Sequence, residues 1–245
     1  MKEWIYGRNA VYETLRAGRR QPFRLWVAQG VQEKGRLAQS LEMAGRRKAQ
    51  IEKVPRQRLD AISDGHQGIA LECSGYPYSE LMDILDLAEE RAESPFVLIL
   101  DALQDPQNLG SLFRTAEIAG VHGIILPLRH TVTVTPAVVN ASSGASEHLL
   151  VAQANLAQSI AALKESGLWV VGLESSPVAL SPGQVRLDGP LALVVGSEGQ
   201  GMRPLVRDSC DVLLRLPMKG NIESLNAAVA GSIALYLAWQ ARGFV

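Results

Sequence analysis

The chain has 245 residues, 47% hydrophobic and 20% charged, which is the composition of an ordinary globular protein and excludes a mainly disordered one. No stretch approaches the ~20 uninterrupted apolar residues of a membrane span, the charged N-terminal segment is no secretory signal, and two cysteines, Cys73 and Cys210, are too few for a disulfide framework. The net charge of −1 conceals an asymmetry: residues 1–75 hold 14 Lys and Arg against 8 Asp and Glu, and the remainder holds 10 against 17. A basic end joined to an acidic one suggests a nucleic-acid-facing module on a cytoplasmic protein.

The first 75 residues alternate helix-like and strand-like stretches. Asn9 can cap a helix AVYETLRAG that stops at Gly18; FRLWVA is a strand, KGRLAQSLEMAG a helix ending at Gly45, and AQIEKV a strand. Pro55 opens a short helix, and GIALEC closes this compact α/β unit. Residues 76–94 hold two prolines and an acidic middle, and are expected to be a linker with a short amphipathic helix. From Pro95 onward the strands become continuous apolar runs: FVLIL, GIILP, LWVVGL, LALVVG and VLLRL. Such runs suit a parallel sheet covered on both faces. Helical candidates lie between and after them: NLGSLFRTAEIAG, PAVVNASSG, NLAQSIAALKESG and SLNAAVAGSIALYLAWQARG. The predicted organisation is α/β throughout, with residues 1–75 as a small N-terminal domain, 76–94 as linker and 95–245 as a parallel-sheet domain.

Ligands of open parallel sheets bind beyond the carboxyl ends of the strands, so three loops there are candidate sites. After FVLIL, Asp105-Pro106 makes a turn, Asn108 can cap the next helix, and Arg114 falls within that helix between Phe113 and Ala116. An uncompensated Arg there is expensive, unless it snorkels to the surface. After LALVV comes GSEGQG, residues 196–201, too irregular for a Walker A loop or a dinucleotide fingerprint. Glu198 within it can accept a hydrogen bond from a ligand or stand as a solvated carboxylate. The third stretch runs from Leu216 through Gly220 to Ser224, a natural helix cap, which places Asn226 in the first helical turn. Ala227, Ala228, Ala230 and Gly231 let that helix pack closely. The four histidines lack metal-ligand spacing, so no metal is expected.

Together these stretches resemble the SpoU/TrmH branch of the SPOUT superfamily, the RNA ribose 2′-O-methyltransferases. Asp105, Pro106, Asn108, Gly110, Arg114 and Ala116 match the family's first motif, and Gly196-Ser197-Glu198-Gly199-Gln200-Gly201 its second. Pro217, Met218, Gly220, Ser224, Leu225 and Asn226 match the third. The basic front domain is similar to the substrate-binding domain of bacterial 23S rRNA (guanosine-2′-O-)-methyltransferases.

The resemblance implies a trefoil knot in the C-terminal domain, a homodimer, and S-adenosylmethionine as cofactor. It implies cofactor contacts at Gly196, Leu216 and Leu225, with Met218 and Ser224 near them. Asn108, Arg114, Glu198 and Asn226 would surround the methyl-transfer site. A guanidinium stays protonated and is a poor base, so Arg114 is expected to hold a phosphate and steady the developing 2′-alkoxide, while Glu198 or a water takes the proton.

On the substrate side, Arg19, Arg20, Arg46, Arg47, Lys48, Arg56 and Arg58 are candidates for an rRNA-binding face. Trp4, Tyr6, Tyr12, Phe23 and Trp26 are either base-stacking platforms or core. Methylation of tRNA, or a non-catalytic role in ribosome assembly, remains an alternative. A nucleotide-dependent oxidoreductase is disfavoured by the missing fingerprint after the first strand of the domain.

Overall fold

A computed structural model describes residues 2–222 and 224–244. The N-terminal part runs β1 (Lys2–Tyr6), α1 (Arg8–Ala17), β2 (Pro22–Ala28), α2 (Arg36–Arg46), β3 (Gln50–Val54), α3 (Arg56–Asp60) and β4 (Ile69–Ser74). The strands form one sheet in the order β1-β4-β2-β3, with β2 and β3 parallel and β4 antiparallel to both its neighbours. Strand alternation sorts the side chains: Ile5, Leu25, Val27 and Leu71 are buried, as are Val11, Leu15 and Leu37 of the covering helices α1 and α2. Trp4, Tyr6 and Trp26 pack instead with Ala28, Val54, Leu59 and Ala70. β1 is absent from the sequence prediction, because its apolar residues are broken by Lys2 and Glu3. α1 starts at Arg8 behind Gly7, so Asn9 lies inside the helix and is not its cap. α2 passes through Gly45 and ends at Arg46.

The rest of the chain runs α4 (Leu81–Glu90), β5 (Phe96–Leu100), α5 (Pro106–Ile118), β6 (Gly123–Pro127), α6 (Pro136–Ala141) and β7 (Leu150–Ala154). It continues with α7 (Leu156–Glu165), β8 (Trp169–Leu173), β9 (Leu191–Val195), α8 (Pro204–Ser209), β10 (Val212–Leu214) and α9 (Ala227–Ala241). Six strands make an all-parallel sheet in the order β10-β8-β9-β5-β6-β7. Every residue of β5, β6 and β9 is buried, as continuous apolar runs require when both sheet faces are covered. Val97, Ile99, Val170 and Val194 share one cluster with Ile84 of α4, Ile160 and Leu163 of α7 and Val206 of α8. α9 lies against α5, β9 and β8, and the absence of a side chain at Gly231 makes that approach feasible: a Cβ there would come within 2.6 Å of Leu112 and 3.2 Å of Val195. Beyond the helix, Arg242 donates to the carbonyl oxygens of Ser94, Pro95 and Gly189 at 3.1, 3.0 and 2.6 Å. The end of the chain is thereby tied to the entry of β5.

Two compact units result: Met1–Pro77 with Val134–His148, and Tyr78–Thr133 with Leu149–Val245. This division differs from the sequence division at 1–75, 76–94 and 95–245 in two places. Residues 76–94 do carry the expected helix, but α4 is packed, with Ile84 and Ala88 fully buried in the second unit. Residues 134–148 belong with the N-terminal strands: Asn140 Nδ2 donates to the Tyr6 carbonyl at 3.0 Å, and Glu147 meets Arg20.

Candidate active site

In the second unit, a cleft of about 220 Å³ opens at the C-terminal ends of β8 and β9. Its wall begins where β9 gives way to Gly196. The loop doubles back at once, with Ser197 and Gly201 exchanging two backbone hydrogen bonds of 3.0 Å. A Cβ at Gly196 would collide with the backbone of Gly201 and Met202, so only glycine permits this turn. The loop is pinned at its far end by Asp101, fully buried just after β5, which accepts from both the backbone N and the Nε of Arg203 at 2.7 Å.

The opposite wall comes from the segment between β10 and α9. Leu216, Met218, Ser224 and Leu225 line the cleft together with Gly196. All five residues expected to hold the cofactor therefore meet in one place. Met218 and Leu225 are 44% and 42% exposed, apolar surface that a bound ligand would remove from water. Leu173, Glu174 and Ser175 also line the cleft and escaped the sequence reading. The signal was present, since Leu173 ends the strand LWVVGL, Glu174 and Ser175 directly follow it, and all three obey the same strand-end rule. Glu174 is oriented by Arg207, whose Nε donates to it at 2.7 Å; that bond holds the guanidinium above its usual pKa range.

The cleft thus combines leucine and methionine surface with serine hydroxyls, carboxylates and a glycine-lined backbone. These are the donor and acceptor types that a nucleoside carrying an amino-acid tail requires. Cys73 and Cys210 take no part in it, and burial pushes both thiols up to about 12, where a nucleophilic thiolate is not available.

Beside the cleft, three of the four expected catalytic residues converge. Asn108 Nδ2 donates to Glu198 Oε1 in a short hydrogen bond. Asn226 Nδ2 reaches the same oxygen at 3.3 Å and Asn108 Oδ1 at 3.2 Å. Two caps differ from expectation. Asp105 caps α5 through the Gln107 N–H, which places Asn108 in the first turn with its amide turned to Glu198. Asn226 caps α9, accepting from Ala228 and Val229 at 2.9 and 3.1 Å, and Ser224 lies in the loop before it. Arg114 stands six residues beyond Asn108, roughly 9 Å along the helix axis. Phe113 and Ala116 are buried there while Arg114 is exposed, so its charge carries no burial cost.

The candidate RNA-binding residues divide. Arg20 has a fully buried side chain, clamped by Glu147 through two bonds of 2.9 Å and by Glu3 at 2.6 Å. Burial opposes its charge, but the two carboxylates outweigh that and raise its pKa. Arg20 is a structural cation and is withdrawn from the RNA-binding set. Arg19 is half-buried, donating to the Tyr76 hydroxyl and the Pro77 carbonyl. Arg46 and Lys48 are exposed and Arg47 partly so, with Arg46 paired to Glu42 at 2.5 Å. Arg56 and Arg58 are exposed on α3, and Arg58 lies over the Trp26 ring at 4.4 Å. Trp4, Tyr6, Tyr12, Phe23 and Trp26 are all half-buried, with the Trp4 and Trp26 rings 4.2 Å apart and tilted by 38°.

Comparison with known proteins agrees with this geometry. Residues 95–236 match the SpoU rRNA Methylase family, and residues 4–79 match the family described as RNA 2′-O ribose methyltransferase substrate binding. A Bacillus subtilis (strain 168) protein named for the TrmH family of tRNA/rRNA methyltransferases is 45% identical over 244 residues, 98% of this chain and 96% of its own. Among solved structures, the AdoMet-bound rRNA methyltransferase from Sinorhizobium meliloti superposes with a TM-score of 0.81 at 24% identity, covering 98% of this chain and 87% of that one. The SpoU methyltransferase AviRb from Streptomyces viridochromogenes, in complex with AdoMet, has the same TM-score at 20% identity, with coverages of 98% and 90%. Both share the fold described above. On the extent of the sequence match, this chain belongs to the SpoU rRNA Methylase family.

Proposed function

We propose that this protein transfers the methyl group of S-adenosylmethionine to the ribose 2′-hydroxyl of a guanosine in large-subunit (23S) rRNA. The observation that carries the reading is the cleft between Gly196 and Leu225, with the Asn108–Glu198–Asn226 cluster beside it. S-adenosylmethionine supplies a sulfonium-bound methyl, ready for in-line displacement. Leu173, Leu216, Met218 and Leu225 offer apolar surface to the adenine, and Ser224 with the backbone around Gly196 offers polar contacts to the rest of the molecule.

The protein's own part is alignment and charge placement. The two amides of Asn108 and Asn226 hold the Glu198 carboxylate in one orientation, where it can receive the proton of the 2′-hydroxyl. Arg114, permanently cationic, holds a neighbouring phosphate in its fork and steadies negative charge on the ribose oxygen. Two further expectations accompany this reading. The path of the chain from edge strand β10 back to α9, beside β9 and α5, suits a trefoil knot. Val229, Ile233 and Tyr236 lie at i, i+4 and i+7 along α9 and are 48%, 41% and 45% exposed, an apolar stripe suited to a second copy in a homodimer.

Methyl-labelled S-adenosylmethionine, incubated with total RNA from cells lacking this protein, tests the proposal. Label in large-subunit rRNA that survives alkali as a dinucleotide is the expected result. Label in tRNA would keep the chemistry and replace the substrate. No label in rRNA or tRNA would overturn the proposal.

A further inference from the structure

The N-terminal unit holds a second cleft, of about 510 Å³, lined by Arg8, Gln29, Gly30, Arg56, Gln67 and Gly68 over an apolar floor of Ala28 and Val31. Two guanidiniums and no carboxylate are among its lining residues. Arg8 is held in place from both ends. Its backbone N–H donates to Gln67 Oε1 at 3.0 Å and its Nε to the Gln67 carbonyl at 3.2 Å. The Gln67 side chain has thus committed its oxygen and leaves its amide N–H groups for a ligand. Gln29 is exposed. Among the described residues, the ion pair recorded for Arg56 is with the Asp60 carboxylate at 4.0 Å, and that carboxylate also meets His66 at 2.9 Å.

Two guanidiniums match a phosphate diester, presenting planar forks to its oxygens. The Gln29 amide matches a base edge, because it carries a donor and an acceptor side by side, and Gln67 adds a further N–H donor. Gly30 is exposed and leaves the rim open to backbone contact, whereas Gly68 is buried with its N–H on His66 Nδ1 and its carbonyl on the Ala28 N–H. An RNA nucleotide is the ligand that needs both groups at once, and unpaired nucleotides are the ones RNA-binding proteins read by sequence.

We propose that this cleft receives one unpaired nucleotide of the RNA substrate, its phosphate held by Arg8 and Arg56 and its base edge by Gln29 and Gln67. The inference rests on RNA being the substrate of this chain. It differs from the basic face expected around Arg46, Arg47 and Lys48, which offers charge at the end of α2.

Fluorescence anisotropy with fragmented 23S rRNA, set beside tRNA and free GMP, tests it on the full-length protein. Gln29→Ala should weaken rRNA binding about fivefold or more with its salt dependence unchanged, because no charge is lost. Arg56→Ala should weaken binding and lower the log–log salt slope by about one. Arg186→Ala, which removes an exposed cation paired to Asp188 at 2.9 Å in the second unit, should change affinity less than about twofold. S-adenosylmethionine affinity, measured by calorimetry, should stay at the wild-type value in all three.

Wild-type RNA affinity in Gln29→Ala, with Arg56→Ala no worse than Arg186→Ala, would overturn the cleft while leaving the methyltransferase reading intact. A wild-type protein that binds neither RNA would overturn both. Tight GMP binding lost in Gln29→Ala would assign the cleft to a free nucleotide instead. Losses seen for tRNA alone would support the cleft and change the substrate.

Discussion

Asn226 and Glu198 are joined by the same side chain that starts the last helix. Asn226 Oδ1 accepts the Ala228 and Val229 N–H groups while its Nδ2 donates to Glu198 Oε1 at 3.3 Å. The cap leaves the amide little freedom to rotate, so the helix terminus aims the donor. Asn226→Asp keeps a capping oxygen but sets a second carboxylate against Glu198. Its stability should stay within about 0.5 kcal/mol of wild type, with methyl transfer down roughly 100-fold. Asn226→Ala should lose activity and also about 1 kcal/mol of stability. Urea titrations and single-turnover rates separate the two effects, and full activity in Asn226→Asp would reduce Asn226 to a cap.

Arg114 is exposed, so its proposed work is done by shape as well as charge. Arg114→Lys preserves the charge and abolishes the planar fork. Its kcat should drop about 100- to 1,000-fold while the Kd for S-adenosylmethionine is unaffected. Turnover at the wild-type rate would mean that charge alone suffices.

Arg20 tests the assignment of a basic residue to structure. Arg20→Met leaves Glu147 buried without its partner and should cost about 3–5 kcal/mol. Adding Glu147→Met removes the orphaned charge and should recover most of that loss. Equilibrium unfolding of the three proteins decides the matter. A single variant as stable as wild type would mean that the clamp contributes nothing to folding.

His122 makes stability depend on pH. Its Nδ1 accepts the Phe96 N–H at 3.0 Å and its Nε2 faces Glu93 at 2.9 Å, an arrangement suited to the neutral ring with its proton on Nε2. Burial lowers its pKa below the ordinary 6.5, although Glu93 opposes the shift. The unfolded chain therefore takes up this proton first as the pH falls. The contribution is complete above about pH 6.5 and is lost as the pH drops through the folded-state value. The urea midpoint should fall between pH 7.5 and 5.5, and fall less in His122→Gln. Parallel losses in the two proteins would count against this role for His122.

The loops that form the cleft were legible because they follow apolar runs suited to a parallel sheet, while Gly196, Leu216, Met218, Ser224 and Leu225 were singled out by the resemblance to the SpoU/TrmH family. The caps were not legible. Two cap-capable residues lay close together at each helix start, Asp105 with Asn108 and Ser224 with Asn226, and local sequence does not choose between them. In α9 the start must also agree with the close approach of Gly231 to Leu112 and Val195, a constraint from distant segments. Arg20 was misread for a similar reason. Its carboxylate partner lies 127 residues away, and a charge count cannot see such a pair. β7 was missed because this short edge strand carries Gln153 within its apolar run, and β1 because charge interrupts it. Segment 134–148 reads as ordinary helix and loop, and nothing in its pattern names the unit it joins.

The tie between Arg242 and the carbonyls of Ser94, Pro95 and Gly189 has a consequence for synthesis. The donor cleft takes one wall from Leu216–Ala230, and the helix that follows covers the middle of the sheet. Both follow β10, the last strand of the sheet in chain order. A nascent chain made only as far as β10 has every strand of the sheet but lacks one wall of the proposed donor cleft. A product terminated prematurely after β10 would carry an uncovered apolar sheet face, which quality-control proteases recognise. The cleft proposed for the methyl donor is therefore completed only after the start of α9 has been made.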